Sequence, residues 1–274
     1  MVIIDGKAHA QAIRQAVKKR GINAHLAVVL VGNDPASLVY INMKQKACEE
    51  VGFKSTLHKL SAEATQQEVI SLIDSLNNDA SVTGILVQQP FPPHLNKNEI
   101  VSRVAPNKDV DCLGPYNVGL STIGKGLLLP CTPAGVITLL KRENIPINGK
   151  HAVVVGRSDI VGKPLALMLL ANDATVTVCH SRTKDLPKVC RTADILVAAV
   201  GRPMFITADF VKEGAVVIDV GVNRLENKKV CGDVDFEGVK NIASYITPVP
   251  GGVGPMTVAT LMENCLKAWE IQHG

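Results

Sequence analysis

The stretch 151–170, HAVVVGRSDIVGKPLALMLL, constrains the fold more than any other part of the chain. Residues 152–155 form a short apolar, mostly β-branched run, the pattern of a strand buried on both faces of a parallel sheet. Gly156 then permits a tight turn, and Gly162 lets the next segment pack close against the strand. Apolar residues resume over 165–170 with helical length. The free backbone N–H groups at such a helix start suit an anionic pyrophosphate. The spacing is G-x-S-x-x-x-G-x-P rather than G-x-G-x-x-G, and locally it also suits a plain glycine turn.

The next strand-like run, TVTVC, ends where a ribose-reading residue is expected, about 20 residues past the first glycine. An Asp or Glu there would favour NAD. The chain instead has His180, Ser181, Arg182 and Thr183, with Arg157 in the glycine loop. Guanidinium groups and hydroxyls match a 2′-phosphate, so the reading favours NADP over NAD. Gly156 and Arg157 of the loop, with Ser181 and Arg182, are the candidate cofactor contacts.

A chain of 274 residues is long enough for two modest domains. Its aromatic content is 3% against 46% hydrophobic residues overall, so its core must be aliphatic, as in parallel sheets covered by helices. A net charge of +4 is too small to argue for nucleic acid. No apolar run reaches membrane-spanning length, and the opening MVIIDGKAHAQAIRQ reads as strand, turn and helix rather than a signal peptide. Seven cysteines without C-x-x-C spacing fit neither a disulfide framework nor a structural zinc site. The expected compartment is the cytosol, with no metal.

Strand-like and helical segments alternate throughout. Strands are expected at 2–4, 26–31, 53–57 and 84–87, separated by helices near 8–19, 36–51 and 65–77. After the glycine turn, strands follow at 176–179, 195–199 and 216–220. The pattern predicts an α/β fold: two α/β domains, each with a mostly parallel sheet, flanking a cleft. Residues 132–143 have the spacing of a helix opened by Thr132-Pro133, leading from the first unit into the second. A last helix near 256–271 would return to the first.

Three polar features stand out in the first unit and one near the end. Tyr40 and Lys44 lie four apart on a predicted helix and so share a face; a phenol beside an ammonium invites acid–base work. Y-x-x-x-K also arises on ordinary surface helices. Short-chain dehydrogenases carry such a pair, but after the glycine turn of their dinucleotide domain, whereas here it precedes the turn in another unit. Gln88 follows the apolar strand 84–87, at the carboxyl end where open α/β sheets place ligands. Asp109 and Asp111, in NKDVDCL, read most simply as a turn with solvated carboxylates. TPVPGGVGPMT, residues 247–257, is a stiff, bare loop open to a flat ligand, with Pro255 near the first turn of the last helix.

Together these segments resemble the bifunctional methylenetetrahydrofolate dehydrogenase/methenyltetrahydrofolate cyclohydrolase family. The match runs through YINMK, GILVQQPFP, NKDVDCL, LPCTPAGV, VVVGRSDIVGKP, GAVVIDVGVNR and YITPVPGGVGPMT, in the family's order. The resemblance implies a catalytic, folate-binding domain over 1–136 and 256–274, and an NADP-binding Rossmann domain over 137–255. It implies Lys44 as general acid/base, Tyr40 stacked on the aminobenzoate ring, Gln88 holding Lys44 in place and favouring its neutral form, and Asp111 bonding the pterin. Ser37, Pro250, Gly251, Gly252, Pro255 and Thr257 would complete the folate site, and Ser158, Ile160, Val161 and Val222 would join the NADP contacts. Cys112 stands where the family usually has glycine; a left-handed backbone there would cost a side chain about 1–2 kcal/mol. Gln89 and Phe91 replace more typical leucines and read as packing variation.

The implied activity is NADP-dependent oxidation of 5,10-methylenetetrahydrofolate, then hydrolysis of the methenyl product to 10-formyltetrahydrofolate, by a homodimer to which a strand at 228–231 would add an edge. Two rivals are a monofunctional member, cyclohydrolase or dehydrogenase alone, and a non-catalytic dinucleotide-sensing module.

Overall fold

The computed structural model describes residues 1–225 and 229–274; Lys228, which begins the expected edge strand, lies outside them. The strands, in chain order, are β1 (Val2–Ile3), β2 (His25–Val31), β3 (Lys54–Leu60), β4 (Gly84–Val87), β5 (His151–Val155), β6 (Thr175–Cys179), β7 (Ile195–Ala198), β8 (Val216–Asp219), β9 (Asn223–Arg224), β10 (Val230–Cys231) and β11 (Tyr245–Ile246). The α-helices are α1 (Gly6–Lys18), α2 (Pro35–Val51), α3 (Gln66–Asn78), α4 (Lys97–Arg103), α5 (Pro115–Thr122), α6 (Cys131–Arg142), α7 (Gly162–Leu170), α8 (Leu186–Cys190), α9 (Phe236–Val239) and α10 (Val253–His273). They form two compact units, Met1–Gln11 with Thr132–Thr257, and Ala12–Cys131 with Val258–Gly274.

The second of these units is built on a three-stranded parallel sheet in the order β3-β2-β4. Every residue of β2 is buried, because the strand feeds two cores by simple alternation. Leu26, Val28 and Leu30 point into one cluster with Leu86, Ile41 and Met262. Ala27, Val29 and Val31 point into the other with Ile85, Val87 and Ile73. Such a strand reads as an unbroken apolar run. The helices carry their own stop signals. Asp34 caps α2, accepting from the Ser37 amide, and Gly52 closes the helix in the left-handed conformation. Thr65 and Glu68 form a reciprocal capping box at the start of α3, each satisfying an amide the helix leaves open.

The other unit holds a six-stranded sheet in the order β1-β11-β8-β7-β5-β6, parallel throughout. β6 and β7 lie on opposite sides of β5, so the chain reverses its winding direction at the carboxyl end of β5. That is the topological switch point of a doubly wound sheet. Counted from β5, the order is 2-1-3-4-5 with β1 added at the far edge. The sequence reading put the first strand in the first unit; instead β1 pairs in parallel with β11, Val2 opposite Tyr245. A two-residue strand has no pattern of its own to choose a partner, and the choice is made by Val2 N–H donating to the Ser244 carbonyl (2.7 Å) and Ile4 N–H to the Ile246 carbonyl (2.9 Å). β9 and β10 form a separate antiparallel pair.

Candidate functional site

In the three-stranded unit, the sequence-predicted residues converge around Lys44. Tyr40 and Lys44 project from one face of α2, Tyr40 partly exposed and Lys44 half-buried. Lys44 Nζ donates to Gln88 Oε1 at 3.0 Å. Gln88 extends the sheet by one residue, its amide donating to the Val29 carbonyl at 2.9 Å. Its side-chain Nε2 donates to the Gln89 carbonyl at 2.6 Å. A carbonyl only accepts, so the amide group of Gln88 has one permitted orientation, with Oε1 toward Lys44.

Ser37 sits behind this turn rather than in an open site. It is 1% exposed, and its hydroxyl lies 2.8 Å from the Asp34 carboxylate and 3.3 Å from the Gln89 carbonyl. Asp34, the buried Ser37 and Gln89 thus form a part-buried polar cluster that steadies Gln88 and, through it, Lys44. The sequence reading grouped Ser37 with the substrate contacts and missed its link to Asp34. The N-cap pattern N-D-P-A-S was the available signal, since a capping Asp accepts from the residue three positions on.

The two carboxylates of NKDVDCL separate sharply. Asp109, expected to be solvated, is 4% exposed. It accepts from the Leu113 and Gly114 amides (3.1 and 2.9 Å) and from Asn117 Nδ2 (3.1 Å). Burial pushes its carboxyl above the ordinary range, against the pull of these donors. Asp111 is partly exposed and its charge reaches the thiol of Cys131; burial first, then the Asp111 charge, raise that thiol well above its usual range, while Lys44 pulls it down. Cys131 therefore feels the charges of both Lys44 and Asp111. Cys112, next in the chain, takes φ +55°. Its buried thiol donates to the Leu128 carbonyl at 3.4 Å.

In the six-stranded unit, the turn after β5 lies at the switch point. Gly156 takes φ +134°, and a Cβ there would fall 2.1 Å from the Ala199 carbonyl oxygen. At Gly162, the first residue of α7, a Cβ would fall 2.2 Å from the Gly156 carbonyl oxygen. Only glycine fits either position, and the bare turn this leaves is a cradle for a flat, anionic group. The Val161 and Gly162 amides point at Ser158 Oγ, at 3.2 and 3.4 Å. Arg157, Ser158 and Ile160 are exposed. After the neighbouring β6, the His180 amide donates to Thr183 Oγ1 (2.9 Å) and the Arg182 amide to His180 Nδ1 (3.2 Å). This compact turn leaves the side chains of Ser181 and Arg182 exposed.

Two buried carboxylates order the loops after β7 and β8, and sequence reasoning passed over both. Asp233 accepts from the amides of Val200, Gly201 and Arg202 at 2.6–2.9 Å and from Asn223 Nδ2 at 2.9 Å. Asp219 accepts from the Gly221, Asp233 and Val234 amides, each at 2.9 Å. Burial, with the adjoining Asp233 charge, pushes Asp219 up to about 6. Val222, half exposed, rides on the loop they hold. Of the segment 250–257 in this unit, Pro250 is exposed, Gly251 and Pro255 are partly so, and Gly252 is buried. Thr257 bonds hydroxyl to hydroxyl with Thr132 at 2.9 Å. Among the described residues no group of three or more His, Cys, Asp or Glu is placed to hold a metal, and no helix is long and apolar enough to cross a membrane.

A doubly wound unit with a bare phosphate-sized turn at its switch point, joined in one chain to an α/β unit carrying an oriented lysine, defines a dinucleotide-dependent two-domain enzyme class. Residues 4–111 match the catalytic domain of the tetrahydrofolate dehydrogenase/cyclohydrolase family, and residues 130–273 match its NAD(P)-binding domain. The chain belongs to this family. It is 56% identical over 273 residues to the bifunctional protein FolD of Agathobacter rectalis, covering 97% of this chain and 98% of that one. The crystal structure of the FolD methylenetetrahydrofolate dehydrogenase/cyclohydrolase of Campylobacter jejuni matches with a TM-score of 0.96 at 49% identity, covering 99% of both chains. The Trypanosoma brucei enzyme, solved with NADP cofactor and inhibitor, matches with a TM-score of 0.94 at 38% identity, covering 98% of this chain and 97% of that one.

Proposed function

We propose that this chain oxidises 5,10-methylenetetrahydrofolate with NADP⁺ and hydrolyses the 5,10-methenyl product to 10-formyltetrahydrofolate. The observation that carries the reading is the Lys44–Gln88 pair at 3.0 Å, with the amide of Gln88 oriented by the Gln89 carbonyl. Bound NADP⁺ supplies the hydride acceptor. Gly156, Arg157, Ser158, Ile160, Val161 and Val222 would hold it, with Ser181 and Arg182 on the 2′-phosphate. The bare Gly156–Gly162 turn has room for the pyrophosphate, and the exposed guanidinium groups have the matching charge.

Hydride loss from the bridging carbon leaves a cation shared between N5 and N10. Water adds to that carbon, and one of its protons passes to Lys44 acting as general base. The ammonium so formed returns the proton to N5 as the carbon–N5 bond breaks, and the hydroxyl on that carbon releases its remaining proton to solvent as it becomes the C=O of the formyl group on N10. Gln88 occupies one N–H of Lys44 and leaves the nitrogen lone pair free to accept. Tyr40 would stack on the aminobenzoate ring, and Asp111 would bond the pterin. Pro250, Gly251, Gly252, Pro255 and Thr257 are proposed as further folate contacts on the family resemblance, and Ser37 as support for the Gln88 turn. The same resemblance leads us to propose a homodimer in the cytosol, checked by light scattering at low micromolar concentration, where a single-chain mass would count against it.

Lys44→Met tests the reading. Starting from synthetic 5,10-methenyltetrahydrofolate and subtracting its spontaneous hydrolysis, the variant should lose about 10²–10⁴ of the cyclohydrolase rate while binding NADP⁺ normally. A folded variant with normal hydrolysis removes Lys44 from the mechanism. Wild-type protein inert toward 5,10-methylenetetrahydrofolate with NADP⁺ removes the reading itself.

A further inference from the structure

Asn264, on the inner face of α10, is 1% exposed, yet no step above uses it. Its Nδ2 donates to the Val110 carbonyl at 2.8 Å and to the Leu129 carbonyl at 2.8 Å, and lies 3.6 Å from Cys131 Sγ. The Cys131 thiol also donates to the Val110 carbonyl, at 3.4 Å. Val110 is the residue before Asp111, so one carbonyl receives two side-chain donors from behind. The residue after Asp111 is held as well. Cys112 is pinned by its amide on the Asp109 carbonyl (3.1 Å) and its thiol on the Leu128 carbonyl (3.4 Å). Both chain neighbours of Asp111 are thus tied to the 128–131 segment, and the Asn264 amide bonds the Val110 and Leu129 sides together.

We infer that Asn264 is a positioning residue: by bonding the Val110 and Leu129 carbonyls it sets where the Asp111 carboxylate stands for the pterin. The inference rests on the proposed reading of Asp111. An amide suits the task because its two N–H groups diverge in a plane and can meet two carbonyls at once. Leucine fills nearly the same volume and meets neither. The Val110 carbonyl would then keep only the weaker Cys131 thiol donor, the Leu129 carbonyl would lose its Asn264 donor, and the 110–112 turn would be free to shift. A displacement near 1 Å at a substrate-orienting group costs up to about a hundredfold in rate.

The test compares wild type, Asp111→Ala, Asn264→Leu and Asn264→Ser, with Val51→Ala as a core variant that loses stability without touching these bonds. KM and kcat are measured separately for 5,10-methylenetetrahydrofolate and for NADP⁺, beside melting temperatures. Asn264→Leu should raise the folate KM about tenfold or more and leave the NADP⁺ KM within about twofold, following Asp111→Ala in direction. Asn264→Ser keeps one donor and should fall between it and wild type. A folate KM in Asn264→Leu no higher than in a Val51→Ala protein of similar melting temperature overturns the inference. If Asn264→Leu does not fold, an unchanged folate KM in Asn264→Ser does the same. An inactive wild type, or Asp111→Ala with an unchanged folate KM, refutes the reading of the site and the inference with it.

Discussion

Gly162→Ala should separate the two activities of the chain. The added Cβ would sit 2.2 Å from the Gly156 carbonyl oxygen, 2.6 Å from its carbon and 2.8 Å from the Arg157 nitrogen. Ordinary carbon contacts lie at about 3.5–4.0 Å, so the turn and the start of α7 must part by more than about 1 Å. All three obstacles are backbone atoms, and no side chain can swing aside. Overpacking of this kind costs about 1–3 kcal/mol. Alanine recovers up to about 1 kcal/mol over glycine in a helix interior, and less at a first helical residue. The net loss of stability is then about 1–2 kcal/mol, and it falls on the turn assigned to the pyrophosphate. Losing one charge-assisted hydrogen bond there costs a further 1.5–3 kcal/mol or so in binding, about ten- to a hundredfold in affinity.

The expected result is an NADP⁺ KM raised at least tenfold in the absorbance assay for NADPH. Hydrolysis of 5,10-methenyltetrahydrofolate without NADP⁺ should stay within about threefold of wild type, because Lys44, Gln88 and Asp111 belong to the other unit. Gly119→Ala is the control: a Cβ there meets nothing within 4 Å, in the body of α5, and should stabilise by about 0.5–1 kcal/mol. A Gly162→Ala protein with wild-type NADP⁺ KM and melting temperature would refute the crowding argument. Equal loss of both activities in a folded protein would refute the division of labour.

Asp219 gives a pH signature. Its carboxyl titrates at about 6 in the folded protein against 3.8 as the ordinary value, so the native state holds this proton more tightly than the unfolded chain. Its contribution to stability is full below about pH 4 and is lost as pH rises through about 6. The stability advantage of wild type over Asp219→Asn should therefore shrink between pH 4.5 and 7.5 in denaturant titrations, by about 2 kcal/mol; an advantage that grows with pH would refute the assignment. Cys112→Gly should be milder than Cys265→Gly by about 2 kcal/mol, because only the first relieves a left-handed side chain; equal losses of melting temperature would count against this. Arg157→Ala should narrow the preference for NADP⁺ over NAD⁺ by about tenfold or more, and unchanged kinetics with both cofactors would remove Arg157 from the 2′-phosphate.

The sequence made most of this architecture legible where burial writes a local pattern. β2, β4, β5 and β7 are four- to seven-residue strands with every, or nearly every, residue buried, and such strands announce themselves as unbroken aliphatic runs. Gly156 and Gly162 were readable because bare turns permit one residue type. The partner of β1 was not, since two exposed residues carry no face to match. The short helices α4, α5, α8 and α9 escaped for a related reason: they are set by caps and by the segments they cover, as when Asn96 accepts from the Asn98 and Glu99 amides to open α4, more than by a long apolar period.

The site shows the same boundary at the scale of single side chains. Tyr40 and Lys44 met on one face because helical spacing requires it, and Gln88 was placed by its position at a strand end. Asp109 and Asp111 look alike in sequence, two residues apart between a lysine and a cysteine. One becomes a buried acceptor of three hydrogen bonds and the other a partly exposed acid beside Cys131. Nothing local separates them; what does is Gly114 and Asn117 closing on Asp109 from the start of α5, and Cys131 arriving beside Asp111 from the start of α6. Asn264 lies farther still along the chain, 154 residues from Val110, and its role exists only once α10 has packed. Residues that act on substrate are constrained by chemistry and leave a type and a spacing. Residues that hold them are constrained by the three-dimensional neighbourhood, so they become visible only when the carbonyls they satisfy are known.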